Sequence, residues 1–243
     1  MNEDSEGKEL SDYRDFHKLN VFIRIDGFLI NETPLRIGAG EVPPLGSTAD
    51  AVVYMVNGRP CIPGSSLKGL FRSYLESIAP SMGYKVHDPW DEQAIKEEAE
   101  NGNFCPICGI FGNTELASHV RIYDSYPKDG VFHMFQKTGI AIDRVFGSVR
   151  PGLGPFIEEL ISPKTKWTFR MDIINIDLYP EKPTNDDRVK LLKNLFQTLT
   201  SVGLNIGARK SVGCGLIRLE EAKWHKYKLS DGLLKMISEG DVV

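Results

Sequence analysis

Twice in this chain an alternating apolar stretch leads into an amphipathic helix and then a further strand, and this repeat restricts the fold more than any other feature. Residues 21–30 (VFIRIDGFLI) alternate as a strand, and residues 51–56 give a short second one. Residues 67–77 follow as a helix whose apolar face carries Leu67, Leu70, Phe71, Tyr74 and Leu75. Ser65 and Ser66 are placed to cap that helix, and Lys68 and Arg72 point away from the apolar face. Residues 120–124 return as a strand. The second unit runs from a strand at 167–176 through an amphipathic helix at 187–202 to a closing strand at 215–224. Two such βαβ units predict an α+β fold, a ferredoxin-like (RRM-type) sheet with both helices on one face.

Two stretches stand outside that plan. Residues 83–113 are irregular and acidic apart from a short helix at 92–98, and they contain Cys-Pro-Ile-Cys. Residues 126–163 form a long polar excursion with glycines at 130, 139, 147, 152 and 154, which reads as a hairpin arm. The expected organisation is an acidic, flexible tail over residues 1–18 and one domain over 19–243, with insertions at about 83–113 and 126–163.

Composition narrows the partners. A net charge of −4 and a pI near 5.8 exclude a generally basic nucleic-acid coat, so any contact with RNA must come from local patches. No apolar run reaches the roughly 18 residues that span a bilayer, and the start MNEDSEGKEL lacks the features of a signal peptide, which points to a cytoplasmic protein with no membrane partner. Of the four cysteines only Cys105 and Cys108 form a close pair. One CxxC is half of a tetrahedral metal site, His87 is the nearest upstream imidazole, and His119 lies just beyond on an expected strand. A redox role is disfavoured because the motif does not follow a strand in the thioredoxin manner. Cys61 and Cys214 read as small buried residues, and His17, His133 and His225 as surface residues.

Three glycine-rich loops carry the binding chemistry: IGAG at 37–40, IPGSSLKG at 62–69 and GARKSVGCG at 207–215. Such loops leave backbone N–H groups free to meet phosphate oxygens. At the helix start, Ser65, Ser66 and Lys68 follow Gly64, although the same groups serve simple helix capping. Arg209 and Lys210 add charge to the last loop, and Arg36 and Arg59 lie near the first two. The spacing GxxxxGK[ST] is absent, which excludes a P-loop nucleotide hydrolase.

The order and spacing of PLRIGAGE at 34–41, STADAVVY at 47–54, RPCIPGSSLKGLFRSYLE at 59–76, CPICGIFG at 105–112 and GARKSVGCG at 207–215 resemble RAMP proteins of type III CRISPR effector complexes. The likeness covers residues 21–220 and is to the repeated backbone subunit that coats the guide RNA and cuts the paired target. It implies that Asp50 is catalytic, holding magnesium or manganese or orienting the ribose 2′-hydroxyl for attack on the adjacent phosphate. It implies RNA contacts at Arg36, Gly38, Gly40, Ser65, Ser66, Lys68, Arg72, Gly207, Arg209 and Lys210. Residues 139–150 resemble the family's thumb, in which Arg144, Val145 and Phe146 would wedge into the guide–target duplex. A structural zinc held by Cys105, Cys108 and His87, with a fourth ligand unnamed, is implied as well. The implied partners are guide RNA, complementary target RNA, other RAMP subunits, the large signature subunit and further copies of this chain. The same scaffold without catalysis is one alternative. A stand-alone endonuclease trimming guide precursors is another, and the absence of histidine from the glycine loops speaks against it.

Overall fold

The computed structural model describes residues 12–40 and 47–242. Strand β1 (Phe22–Asn31) opens the fold and lies at the centre of its sheet, because its alternation puts Ile23, Ile25 and Leu29 on one fully buried face. A short hairpin follows, β2 (Met55–Val56) and β3 (Arg59–Pro60), turning through Asn57 and Gly58 at positive φ. Helix α1 (Gly64–Ile78) buries Leu67, Phe71 and Leu75 at a spacing of four. Next come α2 (Glu92–Asn101), α3 (Pro106–Phe111) and strand β4 (Val120–Ile122). The arm is the hairpin of β5 (Met134–Gly139) and β6 (Phe156–Ile161), in a two-stranded sheet of its own. Strand β7 (Lys166–Ile174), helix α4 (Asp187–Ser201), the short β8 (Leu204–Asn205) and the long strands β9 (Leu216–Ser230) and β10 (Leu233–Asp241) complete the chain.

The main sheet runs β10-β9-β1-β7-β4, with every pairing antiparallel. Without β10 this is the ferredoxin-like order, in which the strand after each helix lands beside the opposite unit. Both helices cover one face. Phe71 meets Phe169 edge-on with centroids 6.3 Å apart, and Leu192, Leu195, Phe196 and Leu199 of α4 join the same cluster. Burying each such side chain is worth about 1.5–3 kcal/mol. No helix among the described residues is long and apolar enough to cross a membrane.

Several expectations need correcting. Residues 51–56 are not one strand: only Met55–Val56 pairs as a strand, while Ala51 and Val53 make single bridges to Glu158 and Gly38, because the chain crosses between two neighbours there. Ser65 and Ser66 do not cap α1. The cap residue is Pro63, and the Gly64 N–H is taken by Asp124 Oδ1 at 2.8 Å. Within the expected tail, Tyr13 and Asp15 reach the core although their neighbours stay exposed. The Tyr13 ring lies under the Arg188 guanidinium at 4.1 Å and against Gly109, where any Cβ would strike it. Asp15 bonds the fully buried His119 at 2.9 Å. Residues 1–11 of that tail lie outside the described residues. The stretch expected as an insertion reaches the core too, since Ile107, Cys108, Ile110 and Phe111 of α3 are buried against α1 and α4.

Candidate nucleic-acid interface and metal centre

The three glycine-rich loops meet in space. A cleft of about 560 Å³ is lined by Ile37 and Gly38 of the first, Ser66, Gly69, Leu70 and Ser73 along α1, and Asn205, Ile206, Gly207, Ala208 and Lys210. Backbone packing brings them together. Gly207 and Gly215 both have positive φ, and a Cβ on either would overlap a carbonyl oxygen, that of Arg36 for Gly207 and that of Ile206 for Gly215. The loop is thereby laid along residues 34–36, with Ala208 N bonded to Arg36 O at 3.0 Å and Gly215 N to Pro34 O at 2.8 Å. Gly38 and Gly40 face open space. The α1 wall is made of small side chains at helical spacing, Ser66, Gly69 and Ser73, a periodicity present in the sequence beneath the stronger apolar one.

The expected RNA contacts divide into engaged and open groups. Arg72 is engaged: its Nε donates to Glu76 at 2.8 Å and its Nη1 to Gly112 O at 2.9 Å. Arg209 makes a forked pair with Glu158 at 2.7–2.9 Å, and Arg36 approaches the same carboxylate at 3.6 Å. Arg209, foremost among these neighbours, holds the Glu158 carboxyl below its usual range. Among the described residues Lys68, Lys210 and Arg144 have no ion-pair partner. Burial, then Arg72, draws the Lys68 ammonium below its ordinary range. Ser65 is exposed and does not line the cleft. Because Asp124 occupies the first N–H of α1, the helix start is a capped terminus with Ser66 turned into the cleft, rather than an open anion cradle.

Asp50 stands at the foot of the arm. Its backbone N–H donates to Ile157 O at 2.9 Å, and its Oδ2 accepts from Ile157 N at 2.7 Å, which leaves Oδ1 on an exposed side chain. The following residues tie it to the cleft through the Gly38–Val53 bridge. Of the loop before Asp50, residues 41–46 lie outside the described residues. The arm's tip is a tight turn in which Asp143 Oδ1 accepts from Val145 N and Phe146 N. That turn projects Val145 at 85% and Phe146 at 81% exposure.

The sheet face opposite the helices, where an RRM would stack bases, carries ion pairs around a cleft of about 540 Å³ lined by Asp26, Phe28, Tyr123, Thr168, Arg170 and Lys223. Arg24 forks onto Asp172 at 2.8 and 2.9 Å, Tyr123 donates to the same carboxylate, and Arg170 pairs with Asp26 at 2.7 Å. Phe28 at its centre lies beneath the ammonium groups of Lys128 and Lys166, at 4.7 and 4.3 Å.

The metal expectation gains its fourth donor. His87, Cys105 and Cys108 are joined by Glu98, and one donor atom from each lies within 4.8 Å of all the others. Glu98 arrives from the last turn of α2, and Cys105 is the N-cap of α3, accepting from Cys108 N. The CxxC therefore does open a helix, but the chain enters it from α2 rather than from a strand. The donor set fits a metal on its own evidence. Glu98 Oε2 is buried without a hydrogen bond although His87 Nε2 is 3.2 Å away, and His87 Nδ1 lies 2.9 Å from Asp88 O, leaving Nε2 as the ligating nitrogen. The neighbouring Cys105 thiol, and the His87 ring beyond it, draw the Cys108 thiol below its ordinary range, toward the thiolate a metal binds. His119 is excluded from the set by its bond to Asp15. Cys61 and Cys214 are buried, and His17 and His133 are exposed; His225 is half-buried, 3.2 Å from Glu239.

The family model of the RAMP superfamily matches residues 29–218. No curated protein matches the chain. Among solved structures, a chain of the Type III-B Cmr-beta structure bound to cognate target RNA, determined by cryo-electron microscopy, superposes with a TM-score of 0.54 at 22% identity. The match covers 84% of this chain and 60% of that one, so this chain spans less than two thirds of that neighbour's length.

Proposed function

The chain belongs to the RAMP superfamily, and from that premise we propose that it is a guide-RNA-binding backbone subunit of a type III CRISPR effector complex that cleaves the complementary target RNA. The observation that carries this reading is the meeting of all three glycine-rich loops in one cleft, to which the Gly38–Val53 bridge joins the segment after Asp50 and, through the Ala51–Glu158 bridge, the arm. Guide phosphates would follow the small-residue wall of α1 and the 207–210 loop, met by Lys210, Lys68 and backbone N–H groups. The exposed Val145 and Phe146, beside Arg144, would unstack the guide–target duplex next to the arm. Sequence would be read by base pairing with the guide. Other RAMP subunits, the large signature subunit and further copies of this chain would be its protein partners.

In the reaction, the ribose 2′-oxygen attacks the adjacent phosphorus, the P–O5′ bond breaks, and the products are a cyclic phosphate and a 5′-hydroxyl. The 2′-hydroxyl proton leaves as the new bond forms, and the departing 5′-oxygen takes a proton from water. Oδ1 of Asp50, the carboxylate oxygen not used by Ile157, would orient the 2′-hydroxyl and accept its proton. Magnesium or manganese, when bound, supplies neutralising charge at the phosphate, and Asp50 is the residue of this chain that would hold it. The bond from Ile157 N to Asp50 Oδ2 also favours a second reading, a structural Asp50 that only anchors the arm in an inactive subunit. Zinc is the metal that suits a Cys₂HisGlu set, and, held by His87, Glu98, Cys105 and Cys108, it would staple α2 to α3.

Assembled with guide RNA and sibling subunits, the wild-type chain should cut a complementary RNA at regular intervals with magnesium present. Asp50→Ala should abolish those cuts while guide binding is retained. Unchanged cutting would make Asp50 structural, and failure of the wild-type chain to bind guide RNA would end the proposal.

A further inference from the structure

A buried acid among the cations of an RNA site calls for explanation, and Glu158 is one. It is 7% exposed on β6, the arm strand that meets Asp50. Arg209 Nε lies 2.9 Å from both of its oxygens and Nη2 lies 2.7 Å from one, while Arg36 Nη2 is 3.6 Å away. Arg209 has positive φ, and its guanidinium lies over the Phe156 ring at 4.9 Å. Arg36 Nε is buried with no hydrogen-bond partner. The backbone of Glu158 bridges Ala51, directly after Asp50. A single carboxylate therefore ties the first glycine loop, the last glycine loop and the foot of the arm together. Two guanidinium groups share it, so one positive charge remains uncompensated, and a donor on Arg36 stays unused.

We propose that Glu158 is a positioning residue for RNA binding: it holds Arg209, with Arg36 packed behind it, in the geometry that presents the 207–210 loop to an RNA phosphate. This rests on the RNA-binding reading above. Fixed geometry and net charge make opposite forecasts. By charge alone, an acid at an RNA site is a liability, and its removal tightens binding. By positioning, its removal frees two long side chains and a strained loop residue, and binding weakens although the protein becomes more positive.

The test uses the full chain and labelled single-stranded RNA of guide sequence, with affinity read by fluorescence anisotropy at one fixed salt concentration and folding read by melting temperature. Folded Glu158→Gln should bind about five- to tenfold more weakly than wild type. Arg209→Lys should bind as weakly as Arg209→Ala, because a point-charge ammonium cannot replace the planar fork. Folded Glu158→Gln binding as tightly as wild type or tighter would overturn the proposal. If that variant does not fold, Arg209→Lys binding like wild type overturns it alone. Arg209→Lys and Arg209→Ala that both leave affinity unchanged would instead remove the RNA-binding reading of this loop, and the proposal with it.

Discussion

Gly213 and Gly215 offer a controlled comparison within one loop. Their φ angles are 84° and 82°, so alanine at either suffers nearly the same backbone strain, about 1–2 kcal/mol. The stiffer unfolded chain offsets part of that, leaving about 1 kcal/mol net. Their surroundings differ. A Cβ at Gly213 meets nothing within 4 Å, whereas at Gly215 it overlaps the Ile206 carbonyl oxygen. Relieving the overlap must disturb two hydrogen bonds, Ile206 N to Gly215 O at 2.9 Å and Gly215 N to Pro34 O at 2.8 Å. At about 1 kcal/mol each, these bring the cost of Gly215→Ala to about 3 kcal/mol. For a domain of this size each kcal/mol shifts the melting temperature by about 2–4 °C. Scanning calorimetry should thus show Gly213→Ala lowered by about 2–4 °C and Gly215→Ala by about 6–12 °C. Two variants melting together would refute the argument that backbone contact, rather than φ alone, fixes this loop.

Chelation should lower the melting temperature, and Cys108→Ser should remove the response to chelator, with zinc measured in the purified protein by mass spectrometry. A protein that carries no metal and ignores chelator would disprove the centre. Glu158 gives a pH signature. Its folded pKa is depressed below 4.5, so its stabilising share is present above that pH and lost as pH falls through the folded value. Acid titration of stability should therefore be less steep below about 4.5 in Glu158→Gln than in wild type, and identical slopes would count against the ion pair. Phe71→Ala should cost about 3–5 kcal/mol in urea unfolding, because the ring is fully buried against Phe169. Phe146→Ala should leave unfolding within about 0.5 kcal/mol of wild type and act only on target cutting, since its ring touches solvent.

The β-α-β units could be read from periodicity because β1, α1, β7 and α4 each bury one regular face. Strand β10 gave no such signal: Leu233, Leu234, Met236 and Ile237 are all exposed, so no alternation marks a buried side, and the Asp231-Gly232 turn was its one cue. At the site, the glycine loops were legible since positive φ at Gly40, Gly207, Gly213 and Gly215, and close backbone approach at Gly64, restrict residue choice locally. Their neighbours were not. Asp124 caps a helix that begins 60 residues earlier, and Glu158 neutralises Arg209 across 51 residues. No sequence window spans such pairs. Glu98 escaped notice because, within EQAIKEEAEN, one acid of a solvated helix looks like the next, and only the fold turns it toward His87.

The position of β1 bears on synthesis. It is made first and pairs with β7 and β9, its Phe22 opposite Ile174 and Tyr227. During translation at 5–20 residues per second, the apolar side of β1 therefore waits roughly ten to forty seconds for β9 to leave the ribosome. Until then, α1 and α3 have only part of a sheet to cover, and chaperone demand should peak on nascent chains that stop short of Leu216. A stalled or truncated message is consequently the condition under which this protein is most exposed to aggregation in the cell.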